Sequence, residues 1–77
     1  MTPPMTTTFH TALHVTINGT AHMLAPGATL ADAIHHIQAV PPFAAAVNQT
    51  FVPRSAHTAH GLQPHDQIEV IRPVTGG

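Results

Sequence analysis

The chain ends in Gly76-Gly77, a pair with a direct chemical use. Glycines have no side chain and wide φ/ψ freedom, so such a tail can thread a narrow channel and present its α-carboxylate to an ATP site. Disordered end residues or a cloning scar would give the same two letters. A terminal Gly-Gly therefore carries weight only on a suitable fold.

The eight histidines are the second candidate for chemistry. A zinc or nickel site is the functional interpretation, and its candidate ligands are His10, His35, His36, His57, His60 and His65. Adjacent helical residues point about 100° apart, whereas metal ligands usually have a fixed spacing and hydrogen-bonded partners. We therefore interpret these histidines as solvated surface side chains and predict no metal site.

Residues for catalysis are scarce. The chain has no Cys, and Ser55 is its only serine. Asp32, Asp66 and Glu69 fall on different predicted elements, so they indicate no carboxylate pair. The glycines mark turns and form no phosphate-binding loop. We expect no catalytic residue, no bound cofactor and no enzymatic activity of the chain alone.

Composition excludes several kinds of partner. The chain has 77 residues, of which 6% are charged, with two Arg and no Lys. This argues against phosphate neutralisation in nucleic acids and against a polybasic membrane surface. No apolar run approaches the roughly 20 residues of a membrane span, and no signal peptide is visible. We expect a cytoplasmic protein with neither nucleic-acid nor membrane partners.

The elements that position these residues begin with a hairpin. Residues 1–12 are predicted to be a flexible tail. Leu13, Val15 and Ile17 then alternate with polar residues, as in a half-buried strand. Asn18-Gly19 predicts a two-residue turn and a returning strand over 20–24. That turn would place His22 opposite Val15 on the apolar face, whereas a bulge would move it out, so the burial of His22 stays open.

A helix is predicted from Thr29 to about Ala39. Thr29 and Asp32 have the spacing of a capping box. The apolar stripe is Leu30, Ala33, Ile34 and Ile37, and Pro41 stops the helix.

Three short strands are predicted to follow. They cover 44–48, 51–52 and 67–73, with irregular chain and one helical turn between the last two. Leu62 is expected to dock inward. Ile68 and Val70 should face the core, whereas Ile71 faces away. Ile71 is therefore a candidate partner contact, together with Phe51 or Met23.

The order β-β-α-β-(β)-β predicts an α+β fold. One mixed sheet of four to five strands packs on one main helix, with the first and last strands adjacent and parallel. This is a β-grasp, or ubiquitin-like, domain over 13–73, and a flexible tail over 74–77 follows it.

On these residues the chain resembles the ThiS family of thiamine-biosynthesis sulfur carriers. The resemblance covers 13–77. Its motifs are the turn Asn18-Gly19, the helix entry 26–30, the block 46–54 containing Val52-Pro53-Arg54, the pattern 66–71 and Gly76-Gly77. Two positions depart from the family. His57 stands where the family often has Trp, and His65 stands where it often has Gly, so we expect a different turn there. The family is often acidic on its partner face, but this chain has only three side-chain carboxylates. This favours partner docking through apolar contact over docking steered by charge.

The resemblance implies a protein co-substrate. A ThiF-type adenylyltransferase would use ATP and Mg to activate the Gly77 carboxylate. A sulfur donor system would then convert it to a thiocarboxylate for a ThiG-type thiazole synthase. Gly76 and Gly77 would be the sulfur-carrying end, with Thr75, Val74, Ile71 and Phe51 as partner contacts.

Three alternatives remain open. The chain could serve another sulfur pathway, as the small subunit of molybdopterin synthase does. It could be a ubiquitin-like modifier, or a histidine-rich metal-binding or adaptor domain with an incidental tail.

Overall fold

The computed structural model describes residues 12–72. The predicted tail 74–77 lies outside these residues, as does all of the predicted tail 1–12 except Ala12. The described elements are β1 (Leu13–Ile17), β2 (Thr20–Leu24), α1 (Leu30–His36), β3 (Ala44–Val47), β4 (Thr50–Val52), a 3₁₀ turn (Arg54–Ala56) and β5 (Gln67–Ile71).

The five strands form one mixed sheet in the order β2-β1-β5-β3-β4. The first and last strands are adjacent and parallel, with Thr16 beside Gln67. β1 and β2 form the predicted hairpin, in which Val15 faces His22. The β-grasp prediction is therefore confirmed, with five strands and one α-helix among the described residues.

The core lies between α1 and one face of the sheet. Its members share burial and apolar character, and they are Leu13, Val15, Ile17, Leu24, Ala28, Leu30, Ala33, Ile34, Ala45, Val47, Val52, Leu62, Ile68 and Val70. Leu62 docks inward as predicted. Every strand contributes to the core, and β1, β3 and β5 do so at alternate positions, which leaves the opposite face of the sheet free of this packing.

The helix begins as its sequence indicates and ends early. Thr29 Oγ1 accepts a hydrogen bond from the Asp32 backbone N–H at 3.3 Å, and the Thr29 N–H donates to Asp32 Oδ2 at 2.8 Å. The predicted end at Ala39 is wrong, because α1 stops at His36. Gln38 adopts a left-handed φ of 60°, which breaks the helical repeat. Ile37 still packs against the core.

Strand boundaries differ from the prediction by one or two residues. β3 ends at Val47, because Asn48 and Gln49 form a turn with φ of 51° and 71°. β4 begins at Thr50, one residue earlier than predicted. β5 ends at Ile71 and does not reach Pro73, because Ile71 pairs with Ala44, the first residue of β3.

Candidate functional site

The face of the sheet opposite α1 exposes two large apolar side chains near one end. Phe51 on β4 is 64% exposed and Ile71 on β5 is 58% exposed. Both point away from the core, because their neighbours Val52 and Val70 are buried. The structure thus confirms the predicted exposure of Ile71 and adds Phe51 to the same face.

Alanines occupy the strand between these two side chains. Ala46 on β3 is paired with both Phe51 and Glu69, and Ala44 is paired with Ile71. Phe51 and Ile71 stand two strand spacings apart and are offset by two residues along the strands, so their Cα atoms are separated by roughly 12 Å. We call the surface of Ala44, Ala46, Phe51 and Ile71 the docking face. It is a shallow apolar strip with a large side chain on either side of a low floor.

Met23 does not belong to the docking face. It is 62% exposed and is paired with His14, two residues before Thr16. Ile71 lies four residues beyond Gln67, the β5 partner of Thr16. At about 3.3 Å per residue, Met23 and Ile71 are about 20 Å apart along the strands. Of the two neighbours proposed for Ile71 from the sequence, only Phe51 is near it.

Charge on and around the docking face is sparse. Glu69 faces Ala46 within the strip, and exposed Arg72 follows Ile71 directly. Asp66 is buried, which leaves Asp32 and Glu69 as the exposed carboxylates. With so few charges, a partner contact at this face would depend mainly on removing apolar surface from water.

The C-terminal half of β5 is held by an asparagine side chain that the sequence marked only as a turn residue. Asn18 Oδ1 accepts the Val70 N–H at 2.9 Å, and Asn18 Nδ2 donates to the Val70 carbonyl at 3.3 Å. The Asn18 N–H also donates to the Ile68 carbonyl at 2.8 Å. Asn18 therefore extends the parallel ladder beyond the end of β1, up to the residue that precedes Ile71.

A second asparagine secures the beginning of β5. Asn48 Nδ2 donates to Asp66 Oδ1, and Asn48 Oδ1 accepts the Gln67 N–H, both at 2.9 Å. Asp66 Oδ2 also accepts the Gln63 N–H at 2.8 Å. Two positions that carry the family resemblance, Asn48 and Asp66, are therefore built into the fold. Their hydrogen bonds position β5.

His57 is buried, and its interpretation as a solvated side chain is wrong. It is 7% exposed, its ring stacks at 6.1 Å on Phe43, and its Nε2 lies 3.0 Å from the Val52 carbonyl oxygen. Its own carbonyl accepts the Ala31 N–H at 3.1 Å. Neutral imidazole, like indole, is a flat ring with one N–H donor. His57 therefore suits the position at which the family that this sequence resembles often has Trp.

The other histidines are spread over the described surface. His35, His36 and His65 are exposed, and His22 and His60 are half-buried. His10 lies outside the described residues. Within residues 12–72, no group of three or more His, Asp or Glu side chains is placed to hold a metal ion. Sites with only two such ligands lie outside this criterion, so the prediction of no metal site is not tested.

His65 keeps a backbone shape that glycine would favour. Its φ is 70°, and its N–H reaches the His14 carbonyl at 2.6 Å. That the turn at His65 differs from the turn that the family's glycine gives stays a prediction. The structure shows that the histidine itself adopts the left-handed conformation, which is unfavourable for residues with a Cβ.

The predicted reactive end lies outside the described residues. This holds for Gly77, Gly76, Thr75 and Val74, so their roles stay predictions. The described chain ends at Arg72, directly beyond Ile71 of the docking face. The described α-helix has seven residues, and nothing in 12–72 qualifies as a membrane-crossing helix.

Comparison with known proteins agrees with this architecture. The model of the ThiS family matches residues 15–77. The crystal structure of a thiamine biosynthesis protein (ThiS) from Geobacter metallireducens superposes with a TM-score of 0.71 at 17% sequence identity. The match covers 84% of this chain and 100% of that one. A search of curated proteins finds no match.

Proposed function

The chain belongs to the ThiS family of sulfur carriers in thiamine biosynthesis, and we propose that its Gly77 carboxylate is the atom group that carries the sulfur. The carboxylate attacks the α-phosphate of ATP, which releases pyrophosphate and leaves an acyl-adenylate. A sulfide-level nucleophile from the sulfur donor then attacks the acyl carbon, and AMP leaves with one carboxylate oxygen, so that sulfur replaces that oxygen. The thiocarboxylate passes its sulfur to the enzyme that forms thiazole.

The observation that carries this proposal is the position of the docking face. Phe51 and Ile71 are exposed beside the point at which the chain leaves β5. A partner that covers this apolar strip would receive the residues after Arg72 in its own active site. Val74 and Thr75 would contact the entrance, and Gly76 and Gly77 would pass through it because they have no side chains.

The division of labour follows from what the chain lacks. It has no Cys and a single Ser, so it offers no side-chain thiol for sulfur and little for catalysis. The partners therefore supply ATP, Mg and the sulfur donor, and this chain is a substrate with no resident cofactor. Water would hydrolyse a free acyl-adenylate, so the tail must be enclosed by the partner during activation. We propose a ThiF-type adenylyltransferase and a ThiG-type thiazole synthase as these partners, in the cytoplasm.

Intact-mass spectrometry tests the proposal. The full chain is incubated with a ThiF-type enzyme, ATP, Mg and a sulfur donor, beside a chain that lacks Gly76 and Gly77. We expect a mass gain equal to the exchange of one oxygen for sulfur in the full chain alone. An unmodified full chain, with protein conjugates of it in lysate, would contradict the proposal and indicate a modifier.

The alternative of another sulfur pathway is separated by a second assay. The thiocarboxylated chain is offered in parallel to thiazole synthase and to a molybdopterin synthase large subunit. We expect product only from thiazole synthase. Product only from the molybdopterin enzyme would overturn the assignment to thiazole formation while leaving sulfur carriage intact.

A further inference from the structure

Two histidines far apart in the sequence meet where the end of α1 approaches the edge strand of the sheet. His22 lies on β2 and His36 is the last residue of α1. Their ring centroids are 5.2 Å apart, and the ring planes are perpendicular at 89°. Neither the sheet alone nor the helix alone would create this pair, because it exists only when α1 packs on the sheet.

The separation fits an edge-to-face ring contact and is also compatible with a shared metal ion. With metal–nitrogen bonds of about 2 Å and a tetrahedral angle between them, the centroids of two coordinating imidazoles lie about 5 Å apart. Perpendicular planes are compatible with this, since each ring turns freely about its own metal–nitrogen bond. We propose that His22 and His36 form a two-histidine site for a divalent transition metal ion.

Both ligands stand on regular secondary structure, His22 on β2 and His36 on α1. His22 is half-buried on the helix-facing side of the sheet, opposite buried Val15, so its neighbours restrict its ring. His36 is held by a helix whose first turn is closed by the Thr29–Asp32 capping box. Because both ligands are already held in place, little conformational entropy is lost when they bind an ion.

One carboxylate favours a cation at this place. Asp32 lies one helical turn before His36, and both line the same open cleft beside β2. Asp32 Oδ2 is engaged by the Thr29 N–H and hydroxyl, so the carboxylate acts through its charge and not as a third ligand. The other cleft-lining residues, from Met23 to Ala28, are uncharged.

Two ligands define the kind of site. Because no third His, Asp or Glu completes the set among the described residues, water fills the remaining positions and the metal exchanges readily. Imidazole nitrogens suit copper, nickel and zinc, and the expected order of affinity is Cu²⁺ above Ni²⁺ and Zn²⁺. The bound ion would join α1 to β2 on the side of the sheet opposite the docking face. The site is therefore independent of the proposed sulfur chemistry.

Amide NMR spectra of the full chain with substoichiometric Cu²⁺ locate the ion. We expect paramagnetic broadening to begin at residues 21–23 and 35–37. Broadening that begins around His60 or His65, or that shows no preferred location, would overturn the proposal.

Zinc titration calorimetry with matched variants tests the ligands. His36→Gln should weaken Zn²⁺ binding by about a hundredfold. In the unchanged protein the second imidazole binds an ion that the first already holds nearby, and the variant loses this effect. His35→Gln, one residue away and equally exposed, should leave the affinity unchanged. Equal losses in the two variants, or none in His36→Gln, would contradict the site. His36 is exposed, so its replacement leaves the fold intact.

Discussion

Ile68 and Ile71 are the same residue type, three positions apart on the same strand, and they do opposite work. Ile68 is 1% exposed and packs in the core beneath α1, whereas Ile71 is 58% exposed on the docking face. The two-residue repeat of a strand separates them onto opposite faces. The comparison teaches that one face of this sheet holds the fold together, whereas the other exposes apolar side chains that the core does not use.

The same division applies across the sheet. Val52 and Phe51 are neighbours on β4, and only Val52 joins the core. Ala45 and Ala46 are neighbours on β3, and only Ala45 does so. Substitutions on the inner face should therefore change the free energy of unfolding, and those on the docking face should change partner binding.

The largest expected effect is on the inner face. Ile68→Ala should lower the free energy of unfolding by about 3 kcal/mol, because it leaves a cavity in a small core. Ile71→Ala, the matched control, should change it by less than about 0.5 kcal/mol. Urea denaturation followed by circular dichroism measures both. Equal losses in the two variants would contradict the claim that only the inner face stabilises the fold.

Next in size is the effect of Phe51 on partner binding. Phe51→Ser should weaken binding to a ThiF-type partner by about 30-fold, in the range of an aromatic residue at the centre of an interface. Met23→Ser is the control, since it removes an equally exposed apolar side chain far from the docking face. Calorimetry gives both affinities. A larger loss from Met23→Ser would move the interface to the β1–β2 end of the sheet.

Asn18 connects the two faces, because it holds the strand that carries both isoleucines. Asn18→Gly keeps the left-handed turn and removes both side-chain hydrogen bonds to Val70, so it should lower the free energy of unfolding by about 1.5 kcal/mol. Gln49→Gly also replaces a residue of positive φ, and no such side-chain bond is lost, so the protein should not lose stability. Similar behaviour of the two variants in thermal unfolding would show that the Asn18 bonds contribute nothing.

The smallest effect belongs to His65. His65→Gly should raise the free energy of unfolding by about 0.5 kcal/mol, because glycine relieves the left-handed strain at some cost in chain entropy. His14→Gly, on the neighbouring strand, should instead lower it, since glycine weakens a strand. Thermal unfolding compares them. A loss of stability in His65→Gly would show that the imidazole makes a contribution that outweighs the strain.

Patterns with a short range were readable from the sequence. The Asn18-Gly19 turn, the capping box at Thr29 and the alternation around Ile68 each depend on a few consecutive residues, and each is confirmed. Element ends were less predictable. The helix stops at His36 because Gln38 adopts a left-handed conformation. The sequence has no glycine there, which is the residue that usually indicates such a helix end.

Features of long range could not be predicted from the sequence. His57 becomes buried because Phe43 and the Val52 carbonyl receive it, and nothing in its neighbours shows this. The contacts of Asn18 with Val70 span 52 positions. Phe51 and Ile71 were each singled out, but only the strand order places them on the same strip and excludes Met23.

A competition assay separates recognition by the docking face from reaction at the tail. A chain without Gly76 and Gly77 is added in excess while the full chain is thiocarboxylated. The account predicts that this truncated chain inhibits the reaction, and that the same chain with Phe51→Ser and Ile71→Ser does not. No inhibition by the first, or equal inhibition by both, would contradict the claim that the apolar face docks the partner and the glycine tail reacts.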